Sequence, residues 1–176
     1  MNLLHKEVLA GGNSAIIITR HNPVITGGFL DKGKFDSVKN LYYTDRGGGL
    51  TFHDPGQIVF YPIINFQRAG IKQSNYIDFL QNWISNAMSS LGIPTDPNNG
   101  NVGTWVGGRK VAFIGVRIKQ GVSLHGFSIN LNTDLSGFNG FSACNCDWIE
   151  VGNLGLDHTI MISALLDTLN NQFKFN

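Results

Sequence analysis

Two segments of the chain carry apolar side chains at helical spacing. Between Asn75 and Leu91 an apolar residue recurs every three or four positions, and Gly92 follows directly. We therefore predict an amphipathic helix over this range, capped by Asn75 or Ser74. Asp157 precedes a similar stripe that continues almost to the end of the chain, which predicts a closing helix with Asp157 as its N-cap.

Shorter apolar runs, rich in β-branched and aromatic residues, predict β-strands. In the last of these runs, His125, Phe127, Ile129 and Leu131 are expected to share one face, because strand side chains alternate. The runs lie at 15–19, after Pro23, and at 41–44, 57–64, 102–106, 111–118 and 121–131, with a polar stretch at 31–39 and a loop at 132–147. This order predicts one α+β domain over residues 1–176, a mostly β body with at least two helices packed on it.

Composition and charge exclude several classes of protein. Apolar residues form 42% of the chain and charged residues 14%, against about 25% charged in an average soluble protein, which excludes a disordered chain. The net charge of +1 gives no electrostatic case for binding nucleic acid or an anionic membrane. Two cysteines exclude a disulfide scaffold and a four-cysteine zinc site. We expect a cytoplasmic location, because the sequence shows neither a signal peptide nor an apolar run of about 20 residues.

A glycine-rich block, RGGGLTFHDPGQ, runs from Arg46 to Gln57. Consecutive glycines let the backbone approach a ligand closely. The block is not a P-loop, because no Gly-Lys-Ser/Thr follows, and it is not a dinucleotide fingerprint, because a strand follows instead of a helix. Arg46 suits a carboxylate or phosphate, or is a surface arginine. His53 either donates a hydrogen bond in a pocket or ties a turn.

Lys110 and Cys144 are the candidate chemical groups. Lys110 begins an apolar strand, where an ammonium acts as a base or lowers the pKa of a neighbour; the alternative is a solvated lysine. Cys144 lies among small and polar residues in a loop, a setting typical of reactive thiols, although both thiols could be inert. Cys144 and Cys146 resemble half of a metal site, but the second half is missing, so we expect no metal.

Three blocks in order resemble the octanoyltransferases of lipoate assembly. They are RGGGLTFHDPGQIVFYPI, then KVAFIGVRI, then LHGFSINLN with DLSGFNGFSAC, and NPVITGG is similar to an earlier family block. The resemblance covers about residues 46–64 and 103–146. It implies the α/β fold of the biotin and lipoate protein ligases, with a mixed, mostly antiparallel sheet and flanking helices.

The resemblance also implies a mechanism. The family moves an octanoyl or lipoyl group from acyl carrier protein to a lysine of a lipoyl domain through a cysteine thioester, without a cofactor. The match assigns the nucleophile to Cys144 and the lysine that lowers its pKa to Lys110. Here Ala143 and Asn145 replace the proline and glycine that usually flank the family cysteine, and Cys146 is an additional thiol.

The resemblance assigns acyl contacts to three stretches: Arg46, Gly47, Gly48, Gly49, Leu50, Thr51, Phe52 and His53; Phe113, Ile114 and Gly115; Gly126, Phe127 and Ser128. We expect Phe52, Phe113 and Phe127 to wall an apolar tunnel. The Lys110 nitrogen and the Cys144 sulfur should face a pocket lined by residues 46–53 and 126–128.

The implied partners are octanoyl-acyl carrier protein as donor and, as acceptors, the lipoyl domains of 2-oxoacid dehydrogenase E2 subunits and the glycine cleavage H protein. We expect a monomer. Two alternatives remain open at this stage. One is an ATP-dependent lipoate or biotin protein ligase on the same fold, to which the pair His53-Asp54 is closer. The other is an inactive module that binds acyl groups or lipoyl domains.

Overall fold

The computed structural model describes residues 1–35, 38–97, 101–141 and 149–172. These ranges contain four helices and eight strands: α1 (Asn2–Leu9), β1 (Ala15–Thr19), β2 (Val24–Gly27), β3 (Leu41–Tyr43), β4 (Thr51–His53), β5 (Gln57–Ile63), α2 (Phe66–Ala69), α3 (Tyr76–Ser90), β6 (Thr104–Val106), β7 (Arg109–Lys119), β8 (Val122–Asn130) and α4 (His158–Gln172).

The main sheet has five antiparallel strands in the order β1-β5-β8-β7-β6. Strands β7 and β8 form a hairpin whose turn residues, Gln120 and Gly121, both have positive φ, as a two-residue hairpin turn requires. Every residue of β8 is buried, because β8 is central and both of its faces are covered. Side chains on both faces of β8 therefore lie in the interior of the molecule.

Helices α3 and α4 cover one face of the main sheet. Trp83 of α3 is fully buried, and its Nε1 donates to the Leu165 oxygen of α4 at 2.7 Å. The Trp83 ring meets the edges of Phe60 and Phe127, which stack on each other with centroids 5.2 Å apart. This apolar layer makes the sheet a rigid platform for the opposite face.

A second, three-stranded sheet has the order β3-β2-β4, with β2 parallel to β3 and antiparallel to β4. The loop between β3 and β4 contains the three glycines, and its Gly47 nitrogen donates to the Val116 oxygen of β7 at 2.9 Å. The small sheet is thus tied to the middle of β7. Together the two sheets confirm the predicted mixed, mostly antiparallel architecture.

The two predicted helices are present as α3 and α4, and Asp157 Oδ1 accepts from the Thr159 nitrogen at 2.7 Å, as a cap should. Gly92, with a φ of 73°, follows the end of α3. Asn75 occupies the N-cap position of α3, as predicted, but within the described ranges its side chain makes no capping bond to the helix, and its Oδ1 accepts from the Ser74 hydroxyl instead. Helices α1 and α2 and strand β4 were not predicted, because each is too short for a periodic signal.

The predicted face of β8 is wrong at one position. Phe127, Ile129 and Leu131 lie in the core under the helices, but His125 lies on the opposite side of the sheet, in the cavity described below. His125 has a φ of 59°, in the left-handed region, which turns its side chain away from the regular alternation. A non-glycine residue with positive φ inside a strand is strained, and such strain is concentrated at functional sites.

Candidate active site

The glycine loop packs its backbone against the middle of β7. Gly48 has a φ of 84°, which favours glycine, and a Cβ on Gly115 of β7 would lie 2.9 Å from the Arg46 Cδ and 3.1 Å from the Gly47 oxygen. Glycine at position 115 therefore permits the loop to approach β7 closely. The backbone of the glycine loop is consequently packed against β7 and does not form a solvated turn.

Arg46 is buried, and its guanidinium is hydrogen-bonded to neighbouring groups of the protein. Its guanidinium donates to the Gly47 oxygen at 2.9 Å and to both the oxygen and the hydroxyl of Thr26, at 2.7 and 3.0 Å. A buried guanidinium needs such partners to offset its desolvation. The structure thus excludes the interpretation of Arg46 as a solvated surface residue.

A first cavity of about 330 Å³ opens between the two sheets. Its lining is mostly apolar, with a few polar side chains, which is typical of small-molecule sites. The lining residues are Met1, His21, Val24, Thr26, Thr44, Arg46, Gly48, Gly49, Thr51, His53, Val59, Tyr61, Phe113, Ile114, Gly115, His125, Gly126, Phe127 and Ser128.

His53 is held as a neutral imidazole in this cavity. Burial lowers the pKa of His53 to about 4, with smaller contributions from nearby charged groups. Its Nδ1 lies 2.9 Å from Gln57 Oε1, and its Nε2 lies 3.4 Å from the Thr26 hydroxyl. Because the carbonyl oxygen of Gln57 only accepts, Nδ1 carries the proton and Nε2 is the unprotonated nitrogen.

A second hydrogen-bonded pair, His21 and Tyr61, lies beside His53. His21 Nε2 and the Tyr61 hydroxyl are 2.8 Å apart, and the rings of His21 and His53 are 5.5 Å apart. Burial lowers the pKa of His21 and raises that of Tyr61, so both side chains are held uncharged at neutral pH. This side of the cavity is polar but carries no net charge.

The strained His125 is hydrogen-bonded to the carboxylate of Asp45 on the rim of the cavity. The His125 Nε2 lies 2.6 Å from Asp45 Oδ1, and Arg117 Nε lies 3.5 Å from Asp45 Oδ2. The hydrogen bond from His125 is the main reason that the pKa of Asp45 is lowered. Burial lowers the pKa of His125 more than Asp45 raises it.

Lys110 is buried in a second cavity, also of about 330 Å³. Its Nζ donates to the Val102 oxygen at 2.9 Å and lies 4.9 Å from the ring centroids of both Trp105 and Phe113. Cation–π contacts of this kind stabilise an ammonium that is removed from water. Lys110 is therefore not the solvated strand-end lysine that the sequence left open.

The two cavities adjoin each other. Both are lined by Gly48 and Gly49 of the glycine loop and by Ile114 and Gly115 of β7. Residues 126–128 line the first cavity and Lys110 lines the second, so Lys110 borders a neighbouring cavity and not the one that residues 126–128 line. The expectation that Cys144 faces the same pocket concerns a residue outside the described ranges. The glycine block borders both spaces because it lies where they meet.

The other predicted contacts divide between the two cavities. Gly47 lines the second cavity, and the remaining predicted residues line the first or both, except Leu50 and Phe52. Leu50 is buried beneath the loop, and Phe52 packs with Phe113 and Phe138. The predicted tunnel wall is therefore wrong for Phe52, because alternation in β4 directs Thr51 and His53 into the cavity and Phe52 away from it. Cys144 and Cys146 lie outside the described residues.

Sequence reasoning missed several lining residues, notably His21, Thr26 and Tyr61. One signal for Tyr61 was available: on β5, Val59 and Tyr61 alternate with the core residues Ile58 and Phe60. His21 and Thr26 join the site through strand pairing between distant segments, which no local pattern contains.

Neither a metal centre nor a membrane-spanning helix is found in the described ranges. These ranges hold no cluster of three or more His, Cys, Asp or Glu side chains suited to a metal ion. Among the helices of the same ranges, each is too short or too polar to span a bilayer.

A family model, the lipoyl protein ligase A/B catalytic domain, matches residues 1–171. An octanoyltransferase of Citrifermentans bemidjiense is 34% identical over 153 residues, which cover 86% of this chain and 75% of the relative. An octanoyltransferase of Geobacter sp. is 31% identical over 96% of this chain and 84% of its own length. The "Probable octanoyltransferase" of Pyrobaculum calidifontis is 36% identical over 82% of this chain, which spans 63% of that relative's length.

Solved structures show the same fold. A lipoate-protein ligase A bound with ATP superposes with a TM-score of 0.73 and 17% identity, over 92% of this chain and 73% of that one. A bipartite lipoate protein ligase from Thermoplasma acidophilum gives 0.66 and 16%, over 97% of this chain and 77% of that one. These likenesses confirm the predicted fold. The curated relatives and the family model confirm an enzyme of the octanoyltransferase type, acting in protein lipoylation. The chain belongs to the lipoyl protein ligase A/B catalytic domain family.

Proposed function

We propose that this protein transfers an octanoyl group from acyl carrier protein to a lysine of a lipoyl domain, with Cys144 as the acyl carrier and Lys110 as its cationic partner. The observation that carries the proposal is the environment of Lys110. Its ammonium is buried between two aromatic rings at the wall of a cavity, directly beside the glycine loop. Removing an ammonium from water costs free energy, and a lysine held at a cavity wall despite that cost is placed to stabilise a thiolate.

The first half-reaction is a thioester exchange. A free thiol has a pKa of about 8.5, and a cation within about 4–6 Å lowers it. The Cys144 thiolate attacks the octanoyl carbonyl, the new C–S bond forms, and the bond to the donor thiol breaks. The departing thiolate takes a proton from Lys110, which becomes neutral. Because one thioester replaces another, the exchange needs no ATP.

The second half-reaction returns the enzyme to its starting state. The acceptor lysine amine attacks the Cys144 thioester, and the neutral Lys110 takes the proton that the amine loses. An amide bond forms to the lipoyl domain, and the thioester bond breaks to regenerate the Cys144 thiolate beside a protonated Lys110. One side chain thus serves as acid and then as base.

The adjoining cavities suit the acyl chain. A chain attached near Lys110 in the second cavity would pass Gly48, Gly49 and Gly115 into the first, where Val59 and Phe113 offer apolar surface. Burying six methylenes and the terminal methyl at about 0.8 kcal/mol each favours binding of the octanoyl chain by several kcal/mol.

The ATP-dependent ligase is the second candidate, favoured by the fold likeness to lipoate protein ligases and by the pair His53-Asp54. The geometry of Asp54 argues against a role for it in binding nucleotide. Its Oδ1 accepts from the Gly56 nitrogen at 2.9 Å and its Oδ2 accepts from the Asp134 nitrogen at 2.8 Å. Both carboxylate oxygens are therefore used within the protein.

The test is a transfer assay with octanoyl-acyl carrier protein, a lipoyl domain and the purified protein. We expect the mass of the lipoyl domain to increase by one octanoyl group without ATP. A parallel assay supplies free octanoate with ATP in place of the acyl carrier. Modification only in that second assay would establish the ligase instead, and modification in neither would leave an inactive binding module.

A further inference from the structure

Two amide side chains on inner strands of the main sheet, Gln57 and Asn130, are fully buried. They face each other in register at the start of β5 and the end of β8. Gln57 Nε2 donates to Asn130 Oδ1 at 2.8 Å and to the Phe52 oxygen at 2.9 Å. Burying an amide costs free energy unless its groups are hydrogen-bonded, and here the amides satisfy each other.

The contacts of these amides fix the direction of a longer chain of hydrogen bonds. Because Gln57 Nε2 uses both of its hydrogens, Oε1 is the atom that accepts from His53. Because Asn130 Oδ1 accepts from Gln57, its Nδ2 faces the Gly152 oxygen and donates to it at 3.0 Å. The chain therefore runs in one direction, from His53 in the first cavity to Gly152.

Gly152 belongs to the backbone segment that holds Lys110. The Gly152 nitrogen donates to the Lys110 oxygen at 3.0 Å, and the Lys110 nitrogen donates to the Glu150 oxygen at 2.8 Å. Val151 between them pairs with Lys110 as a parallel bridge. Asn130 is thus the buried side chain that ties the segment beside Lys110 to the centre of the sheet.

We propose that Asn130, oriented by Gln57, is a positioning residue that sets where the Lys110 ammonium stands. This inference rests on the role of Lys110 in the proposed function. The interaction of two charges changes with their separation, so a small displacement of a buried cation alters the pKa of the thiol it stabilises. A buried amide network is satisfied in only one arrangement of the backbone, whereas apolar side chains can pack in several.

The test is the variant Asn130→Leu, made together with Cys146→Ser so that only the Cys144 thiol is alkylated. The matched control is Asn132→Leu in the same background. Asn132 Nδ2 donates to the Leu156 oxygen at 2.9 Å, so it also holds the downstream segment, but it does so at Leu156 instead of at Gly152. The pH midpoint of iodoacetamide alkylation is compared with that of Lys110→Ala, and kcat and KM are measured for transfer.

We expect Asn130→Leu to raise the pH midpoint towards that of Lys110→Ala. At an assay pH below the wild-type midpoint, kcat/KM for octanoyl-acyl carrier protein should fall by up to about tenfold for every pH unit by which the midpoint rises. Asn132→Leu should keep the wild-type midpoint. If Asn130→Leu does not fold, Asn130→Ser, which removes volume without adding apolar bulk, replaces it with the same expectation.

A folded Asn130 variant that melts at a lower temperature but keeps the wild-type midpoint and kcat/KM would overturn the inference, since the amide would then serve stability alone. Failure of both variants to fold would have the same meaning. A midpoint that does not respond to Lys110→Ala would instead contradict the role of Lys110 in the proposed function.

Discussion

Lys110 shows how the surroundings of a single side chain define its chemistry. Its Nζ has a carbonyl at 2.9 Å and two aromatic rings at 4.9 Å, and the side chain is 2% exposed. The negative faces of aromatic rings attract a cation and not a neutral amine. The environment therefore stabilises an ammonium, which is the form that lowers the pKa of a neighbouring thiol.

The variant Lys110→Ala is expected to raise the pKa of the Cys144 thiol by about one pH unit or more, because the stabilising charge is lost; one pH unit corresponds to about 1.4 kcal/mol. The rate of iodoacetamide alkylation as a function of pH measures this pKa. Arg109→Ala is the control, since Arg109 is the adjacent cation but is exposed. An equal effect of both variants would mean that general surface charge, not Lys110, controls the thiol.

At the scale of residues, contiguous sequence motifs predicted which part of the chain borders the candidate site. They predicted less well the direction in which each side chain points. The stretch from Arg46 to His53 does border the cavities, because a glycine loop packed on β7 brings the whole block there. A contiguous block cannot direct every side chain to one side, however, and alternation in β4 removes Phe52. His21 was missed because its place depends on pairing between β1 and β5, which the local sequence does not contain.

At the scale of elements, the turn between β4 and β5 connects the two sheets to the segment that precedes Cys144. Asp54 holds this turn through Gly56 and holds the start of the next segment through Asp134. Its side chain is buried, so both bonds are shielded from water. The long helices were predictable from their period, whereas this junction depends on one carboxylate and two backbone nitrogens that only the folded chain brings together.

The variant Asp54→Ala is expected to lower the free energy of unfolding by about 2–3 kcal/mol, because two partly buried backbone N–H groups lose their carboxylate acceptor. Urea unfolding measures the loss. Asp134→Ala is the control: its carboxylate caps Ser136 at an exposed turn, so its removal should cost about 0.5–1 kcal/mol. Equal losses in the two variants would refute a special role for Asp54.

At the scale of the whole molecule, stability should depend on pH through the histidines of the first cavity. Burial lowers the pKa of His53 to about 4 and also lowers the pKa values of His21 and His125. The unfolded chain then binds more protons than the folded one between about pH 4 and the ordinary histidine value of about 6.5. Stability therefore rises with pH across this window, is complete above it, and is lost as the pH falls towards 4.

We expect the free energy of unfolding to fall by about 2 kcal/mol between pH 7 and pH 4.5 from His53 alone. His53→Gln, which cannot be protonated, should have a flatter profile over the same range. Asp45, Asp134 and Asp157 have lowered pKa values, so their contributions are lost only below this window. Parallel profiles for the wild type and His53→Gln would show that the pH dependence comes from elsewhere.

In the proposed transfer, a cysteine of this chain carries the acyl group between two proteins. The intact mass of the protein after incubation with octanoyl-acyl carrier protein and no ATP tests this role of the cysteine. We expect one added octanoyl group in the wild type and in Cys146→Ser, sensitive to neutral hydroxylamine as a thioester should be, and none in Cys144→Ser. Persistence of the adduct in Cys144→Ser, or its absence from the wild type, would refute transfer through Cys144.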